Sequence, residues 1–256
     1  MKKIIALLLA LVMVFAMVAC GEKPTDANDV NADVNADVNQ ENEQTPEIPA
    51  DVKSEGVMTY EQYIAAEMES AVVIEAYVQA TQSWYQDAII VYAQDHDGGY
   101  LIYKMACSEA DAAKLVPGTK IKVSGFKTQY AGLVELAEGA TFEFMEGNYI
   151  AEPVDATAWL GTDELIKHQN ELVSFKGMTI DSIEYKNGTP GDDIYITASA
   201  NGQSCNFCVE IYLTGEDTDV YKTVGTLKAG DKVDITGFLY WYEGANPHIT
   251  SIALAQ

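Results

Sequence analysis

Arginine is absent from all 256 residues, so the fifteen basic residues, set against 39 Asp and Glu, are all lysines. The planar fork that clamps phosphate or guanine in a bidentate grip is therefore missing. Cysteine occurs four times and histidine three times, which is too sparse for a disulfide scaffold or for the paired ligand clusters of structural zinc. No apolar run reaches the roughly twenty residues that a membrane-crossing helix needs. The longest runs from Ile4 to Val18.

What is present at that end has the parts of an export signal: Lys2 and Lys3, the apolar core, and small residues around Ala19-Cys20-Gly21. Met17 is too large for the third-last position before an ordinary signal-peptidase cut. The stretch Met17-Val18-Ala19-Cys20 resembles the lipobox of bacterial lipoproteins, with Met where that family usually has Leu. The resemblance implies acylation of Cys20, removal of residues 1–20 as a signal, and an extracytoplasmic protein whose membrane partner is reached through the lipid. Two acyl chains suffice for stable attachment.

Residues 21–56 shift to Asp, Asn, Glu, Ala and Val, with near-repeats Asn31-Ala32-Asp33-Val34 and Asn35-Ala36-Asp37-Val38. Low hydrophobicity and an excess of acids predict a disordered, self-repelling tether. As a flexible coil it would reach roughly 30 to 36 Å. A calcium-binding Asp repeat would need glycines that the segment lacks.

The remaining chain is long enough for two domains of about 100 residues, and an internal repeat divides it. Gly118-Thr119-Lys120-Ile121-Lys122-Val123-Ser124-Gly125 corresponds to Gly230-Asp231-Lys232-Val233-Asp234-Ile235-Thr236-Gly237, and Val72–Val78 corresponds to Val173–Thr179. Alternation of Ile121/Val123 and Val233/Ile235 with polar residues predicts half-buried strands. Hairpin turns are expected at Asp97-Gly98 and Asn201-Gly202. A short helix is expected at Ser108–Leu115 in one copy and near Glu216–Val224 in the other. Closing strands fall near Leu133–Ala137 and His248–Leu254.

Strand, hairpin, helix, strand, strand is the order of the five-stranded OB barrel, whereas a generic β-sandwich predicts no helix after its third strand. The expected fold class is all-β with short helices, two tandem OB-fold-like barrels following the signal and tether. A leading helix should precede each barrel. The capping box Thr59-Tyr60-Glu61-Gln62 begins one, with Tyr60, Tyr63, Ile64 and Met68 on its apolar face, and Thr162 begins the other. The domains are read as 57–147 and 162–256, joined by a linker at 148–161 in which Trp159 packs at the junction. Here the chain resembles the tandem OB-fold lipoproteins of Gram-positive bacteria, through Ala76-Tyr77-Val78-Gln79-Ala80, Met105-Ala106-Cys107-Ser108 and the strand beginning at Gly118. That family implies architecture and location, and no catalytic residues.

Net charge is −24. A polyanion such as nucleic acid is disfavoured, because its affinity rests on cations that neutralise phosphates. Lys120, Lys122 and Lys127 read as solvated strand-edge lysines. In Cys205-Asn206-Phe207-Cys208 the two thiols sit three apart on a strand and so face opposite sides. With Cys107 they read as buried and inert, although a disulfide between distant cysteines stays open. His96, His168 and His248 lie in separate elements, and Asp95-His96-Asp97-Gly98-Gly99 reads as a polar hairpin turn more simply than as a metal loop. No cofactor, metal or enzyme activity is expected.

A ligand is expected at the barrel mouths, where aromatic residues gather in the loops after the first and fourth strands. These are Trp84, Tyr85 and Tyr130 in the first copy, and Tyr185, Tyr240, Trp241 and Tyr242 in the second. Rings at one rim suggest a platform for a carbohydrate or a protein partner. The alternatives are that they cover barrel ends or join the copies, that the protein binds single-stranded nucleic acid, or that it is a spacer.

Overall fold

Thr59 opens the first helix as its composition predicts. Its hydroxyl accepts the Gln62 N–H and the Gln62 side chain accepts the Thr59 N–H, which starts α1 (Tyr60–Ala65). This is a computed structural model describing residues 52–255; the expected export signal, the expected acylation of Cys20 and the expected tether as far as residue 51 lie outside those residues. At the other end of α1, Lys127 Nζ donates to Ile64 O at 2.7 Å and Ala66 O at 2.8 Å. Carbonyls at a helix end lack partners within the helix, and a cation there satisfies them. Lys127 is therefore buried, not a solvated edge lysine. Ile64 and Met68 stay half-exposed because the helix stops at Ala65, leaving Tyr63 as the buried anchor.

The first barrel comprises β1 (Ala71–Thr81), β2 (Ala88–Gln94), β3 (Gly99–Ala106), β4 (Thr119–Tyr130) and β5 (Leu133–Leu136), with α2 (Glu109–Ala112) between β3 and β4. Pairing runs β1–β2–β3–β5–β4 and back to β1, so the sheet closes on itself. A single parallel rung, Ile102 with Leu136, joins β3 to β5. Beyond β5 the chain continues as β6 (Thr141–Asn148), still alongside β4. Ile74, Ala76 and Val78 point into a core shared with Val91, Ile102, Ile121 and Val123.

The second barrel repeats the plan with β8 (Leu172–Tyr185), β9 (Ile194–Ala200), β10 (Gln203–Val209), β11 (Lys232–Phe238) and β12 (His248–Leu254), preceded by a short strand β7 (Val154–Asp155). It closes β8–β9–β10–β12–β11 to β8, again through one parallel rung, Cys208 with His248. Two short helices, α3 (Ile211–Thr214) and α4 (Asp219–Val224), fill the helical position. Both barrels have the OB-fold topology. The glycines after the repeated strands permit close contact: a Cβ on Gly237 would stand 2.3 Å from His248 O, and one on Gly125 would stand 2.8 Å from Ala140 Cβ.

Of three local expectations, one holds and two change. Asn201 and Gly202 do form a two-residue turn, with φ of 55° and 77°. The hairpin at Asp97-Gly98 instead spans residues 95–98, because Asp95 Oδ1 accepts both the Asp97 and Gly98 N–H groups at 2.8 Å. The leading helix expected at Thr162 is a pair of 3-10 turns, Thr157–Trp159 and Leu165–His168. Gly161 and Asn170 both have positive φ, which turns the chain at either end of that segment. Trp159 stacks on His168 at 4.0 Å and packs on the second core.

The barrels are pressed together through Tyr92, Leu101, Leu133 and Phe238, with Tyr240 and Trp241 against that cluster. Tyr92 stacks on Phe238 at 4.7 Å. Polar groups complete the seam: Leu172 N–H donates to Gln94 Oε1 at 2.8 Å, Gln169 Nε2 to Gly132 O at 2.9 Å, and Glu243 N–H to Ala131 O at 2.7 Å. A Cβ on Gly99 would lie 2.3 Å from the Asn170 carbonyl carbon, so only glycine lets these backbones meet. No helix among the described residues is long and apolar enough to cross a membrane.

Candidate functional site

The seven aromatic residues expected at the barrel mouths separate into four groups. Trp84 packs against the first core and its Nε1 donates to Cys107 O at 2.7 Å, so it covers a barrel end. Tyr185 does the same on the second core. Tyr240 stacks on His248 at 4.1 Å in the inter-barrel cluster. Tyr85, Tyr130 and Tyr242 are exposed, and the last two approach each other at 6.1 Å across the barrel junction. Trp241 alone combines a packed ring with an open concavity. The seven do not form one platform.

The two barrels differ where β4 meets β5 and β11 meets β12. In the first, Ala131 and Gly132 make a tight turn with φ of 48° and 93°. In the second, residues 239–247 form a long loop that bends back at the Trp241–Ala245 bridge. That loop overhangs the outer face of β9 and β10, the face on which OB barrels hold ligands.

Two adjoining concavities lie there. One, of about 300 Å³, is lined by Ser182, Glu184, Tyr195, Thr197, Asn206 and Asn246. The other, of about 310 Å³, lies between β10 and the segment 160–165, with Trp241 and Ala245 on its wall. Asn206 belongs to both, which joins them into one groove. Alternation along the strands explains the lining. Ile196, Ala198, Cys205 and Phe207 point into the core, which turns Tyr195, Thr197, Ser204 and Asn206 outward.

The groove offers hydroxyls, amides and one indole. Thr197 Oγ1 donates to Asn206 Oδ1 at 3.0 Å. Asn246 Oδ1 is buried and has no hydrogen-bond partner among the described residues, a costly state for a buried acceptor. Glu184 is the only carboxylate on the lining, and no lysine is there. Sequence reasoning missed Tyr195, Thr197, Asn206 and Asn246. Their signal was the polar side of a strand alternation, which marks any solvated face.

Ionisable groups elsewhere serve the fold. Burial pushes the Cys205 thiol up to about 12, and raises those of Cys107 and Cys208 as well. All three are unbridged, and protonated thiols are poor nucleophiles. Burial also pushes His248 down to about 3. Its neutral ring meets Tyr92 Oη at 2.7 Å, while Gln82 Nε2 donates to the same hydroxyl at 3.1 Å. The His96 ring lies against Tyr149 at 4.0 Å, tilted by 35°. Among the described residues no group of three His, Cys, Asp or Glu could hold a metal ion.

Lys53 was grouped with the tether by composition. Its Nζ lies 2.6 Å from Asp95 Oδ2 and 2.9 Å from Glu75 O, and both side chains of the ion pair are buried. Tyr100 Oη donates to the same carboxylate oxygen at 2.8 Å. The loop that could be imagined as a metal site is thus a clamp on a lysine.

No protein-family model matches the chain, and no curated protein matches it. Among solved structures, it is similar to asparaginyl-tRNA synthetase from Pyrococcus horikoshii complexed with asparaginyl-adenylate, with 17% identity over 34% of this chain and a TM-score of 0.27. The chain spans only 19% of that enzyme. A murine DNA-binding protein bound with double-stranded DNA shows 11% identity over 72% of this chain and 96% of its own, with a TM-score of 0.36. A replication protein A heterotrimer bound to single-stranded DNA shows 11% identity over 73% of this chain and 49% of its own, with a TM-score of 0.30. Likeness at this level carries no ligand or activity from those proteins to this one.

Proposed function

We propose that this is a non-enzymatic binding protein, held outside the cytoplasmic membrane by a lipid on Cys20, whose second barrel takes a neutral stretch of carbohydrate in the groove across β9 and β10. The observation that carries the reading is Asn246 Oδ1, a buried acceptor left without a donor beside hydroxyls, a second amide and the Trp241 indole. Sugar hydroxyls supply donors to such amides, and an indole covers the apolar side of a pyranose ring. The acid-rich chain without arginine supports the same choice, since it repels polyanions.

Asn246→Leu tests this with two readouts of opposite sign. Removing an unsatisfied buried acceptor should leave the unliganded full chain as stable as before or more so. The same change should weaken retention on neutral oligosaccharides by about tenfold, the worth of one hydrogen bond of about 1.4 kcal/mol. Unchanged retention, or a clear loss of stability, would show that the acceptor serves the fold and not a ligand.

A further inference from the structure

The polar track on β9 does not end at the groove. Tyr195, Thr197 and Ser199 alternate outward toward the hairpin at Asn201-Gly202, and at about 3.3 Å per residue the stretch from Tyr195 to Asn201 covers roughly 20 Å. Strand register sets Ser199 opposite Thr179 of β8, and Thr179 opposite Lys232 of β11. Their neighbours Ala198, Met178 and Val233 are core residues, so Ser199, Thr179 and Lys232 form one outward row across three strands.

That row floors a third concavity, of about 380 Å³, with Lys176 and Asn201 on its rim. Two lysines therefore converge at one end of a track whose groove end has none. Their surroundings are uneven. Lys176 Nζ stands 3.8 Å from Asp234 Oδ2, a carboxylate that also accepts the Gly177 N–H at 2.8 Å. Asp181 accepts the Ser199 hydroxyl at 3.0 Å. Lys232 has no carboxylate within ion-pair distance among the described residues, although the chain has more than twice as many acids as lysines.

We infer that this end is an oxyanion subsite, in which Lys232 and Lys176, with the Thr179 hydroxyl and the Asn201 amide, receive a single carboxylate or sulfate group on the ligand. The inference rests on the carbohydrate reading of the groove and deepens it: the ligand is an oligosaccharide with a neutral body and one acidic substituent about 13 Å along β9 from the Tyr195 end of the groove, the span from Tyr195 to Ser199. Charge-assisted hydrogen bonds to an ammonium and a hydroxyl suit either oxyanion. One such group fits because two lysines can neutralise it, whereas each further anion meets an acidic surface.

The test is a glycan array of matched pairs that differ by one uronate, one sialate or one sulfate, probed with the full chain and with the Lys176→Met/Lys232→Met variant. The parent should prefer the acidic member of some pairs by about tenfold, and the sulfate and carboxylate pairs separate the two sources of the oxyanion. The variant should lose that preference and keep its binding to the neutral members, a selectivity that a merely structural role for the lysines would not produce. Neutral members bound without any preference for acidic partners would overturn the subsite and leave the groove reading intact. No binding to any glycan would overturn both. Tighter capture of single-stranded oligothymidylate, weakening steeply with salt, would replace the carbohydrate by nucleic acid.

Discussion

Replacing Lys53 by Met keeps the aliphatic length of the side chain and deletes its ammonium. Asp95 is fully buried, and without Lys53 its carboxylate keeps the Asp97 and Gly98 N–H groups and the Tyr100 hydroxyl. Breaking a buried ion pair by removing one partner costs about 3–5 kcal/mol, because the other charge stays behind in a poor solvent. Three surviving hydrogen bonds soften the loss, so we expect about 2–4 kcal/mol. For a body of this size that is a fall of roughly 5–15 °C in Tm. Urea unfolding followed by tryptophan fluorescence should show the shift in midpoint with little change in slope. Asp95→Asn in the Lys53→Met background should recover part of the loss, giving a coupling of about 1 kcal/mol or more. A Lys53→Met chain within about 0.5 kcal/mol of the parent, with no coupling, would refute the claim that this lysine is part of the fold.

Tyr92→Phe leaves Gln82 and His248 without their shared hydroxyl and should cost about 1–3 kcal/mol in the same urea assay; a neutral result would mean that the contact is not made in solution. Trp84→Ala should destabilise by about 2–4 kcal/mol, since the ring packs on the first core, and stability unchanged on substitution would return Trp84 to the list of ligand contacts. Burial lifts the carboxyls of Glu135 and Glu210 to about 7, the latter helped by Asp193. Between about 4.5 and 7 the folded chain therefore holds protons that the unfolded chain has released, and these two groups make stability fall as pH rises, each by at most about 1.4 kcal/mol per pH unit. His248, held down to about 3, acts oppositely between about 3 and 6.5, where the unfolded ring takes up a proton and stability rises with pH. Glu135→Gln should thus flatten the decline from pH 5.5 to pH 8, and an identical profile would contradict the raised carboxyl. Cys107, Cys205 and Cys208 should resist Ellman's reagent at pH 8 until denaturant is added; rapid native labelling would show that they are not buried thiols.

Strand order was legible because it depends on features a single sequence displays. Ile121/Val123 and Val233/Ile235 alternate with period two, Asn201-Gly202 favours positive φ, and Thr59 with Gln62 spells a cap. Each is a local rule with one outcome. Lys53 and Lys127 were not legible, since a lysine buried by an ion pair or a helix end has the same letter as one in water. The Thr162 hydroxyl does accept the Glu164 N–H at 3.3 Å, yet the expected helix does not form, because Gly161 and Asn170 turn the chain on either side. At the candidate site the aromatic loops drew attention, and only Trp241 of the seven lines the groove. Tyr195, Thr197, Asn206 and Asn246 come together through strand register and a loop closing over β10, which are non-local facts.

Each barrel is sealed lengthwise by one rung, and this places the burden of closure on few atoms. In the second barrel the rung falls on His248, whose backbone meets Cys208 while its imidazole takes hold of Tyr92 in the other barrel. The first barrel thus acts as a rivet through the lips of the second. Prising the halves apart would strip from the imidazole beside that rung the hydroxyl that holds it, at the seam of the cylinder that bears the groove.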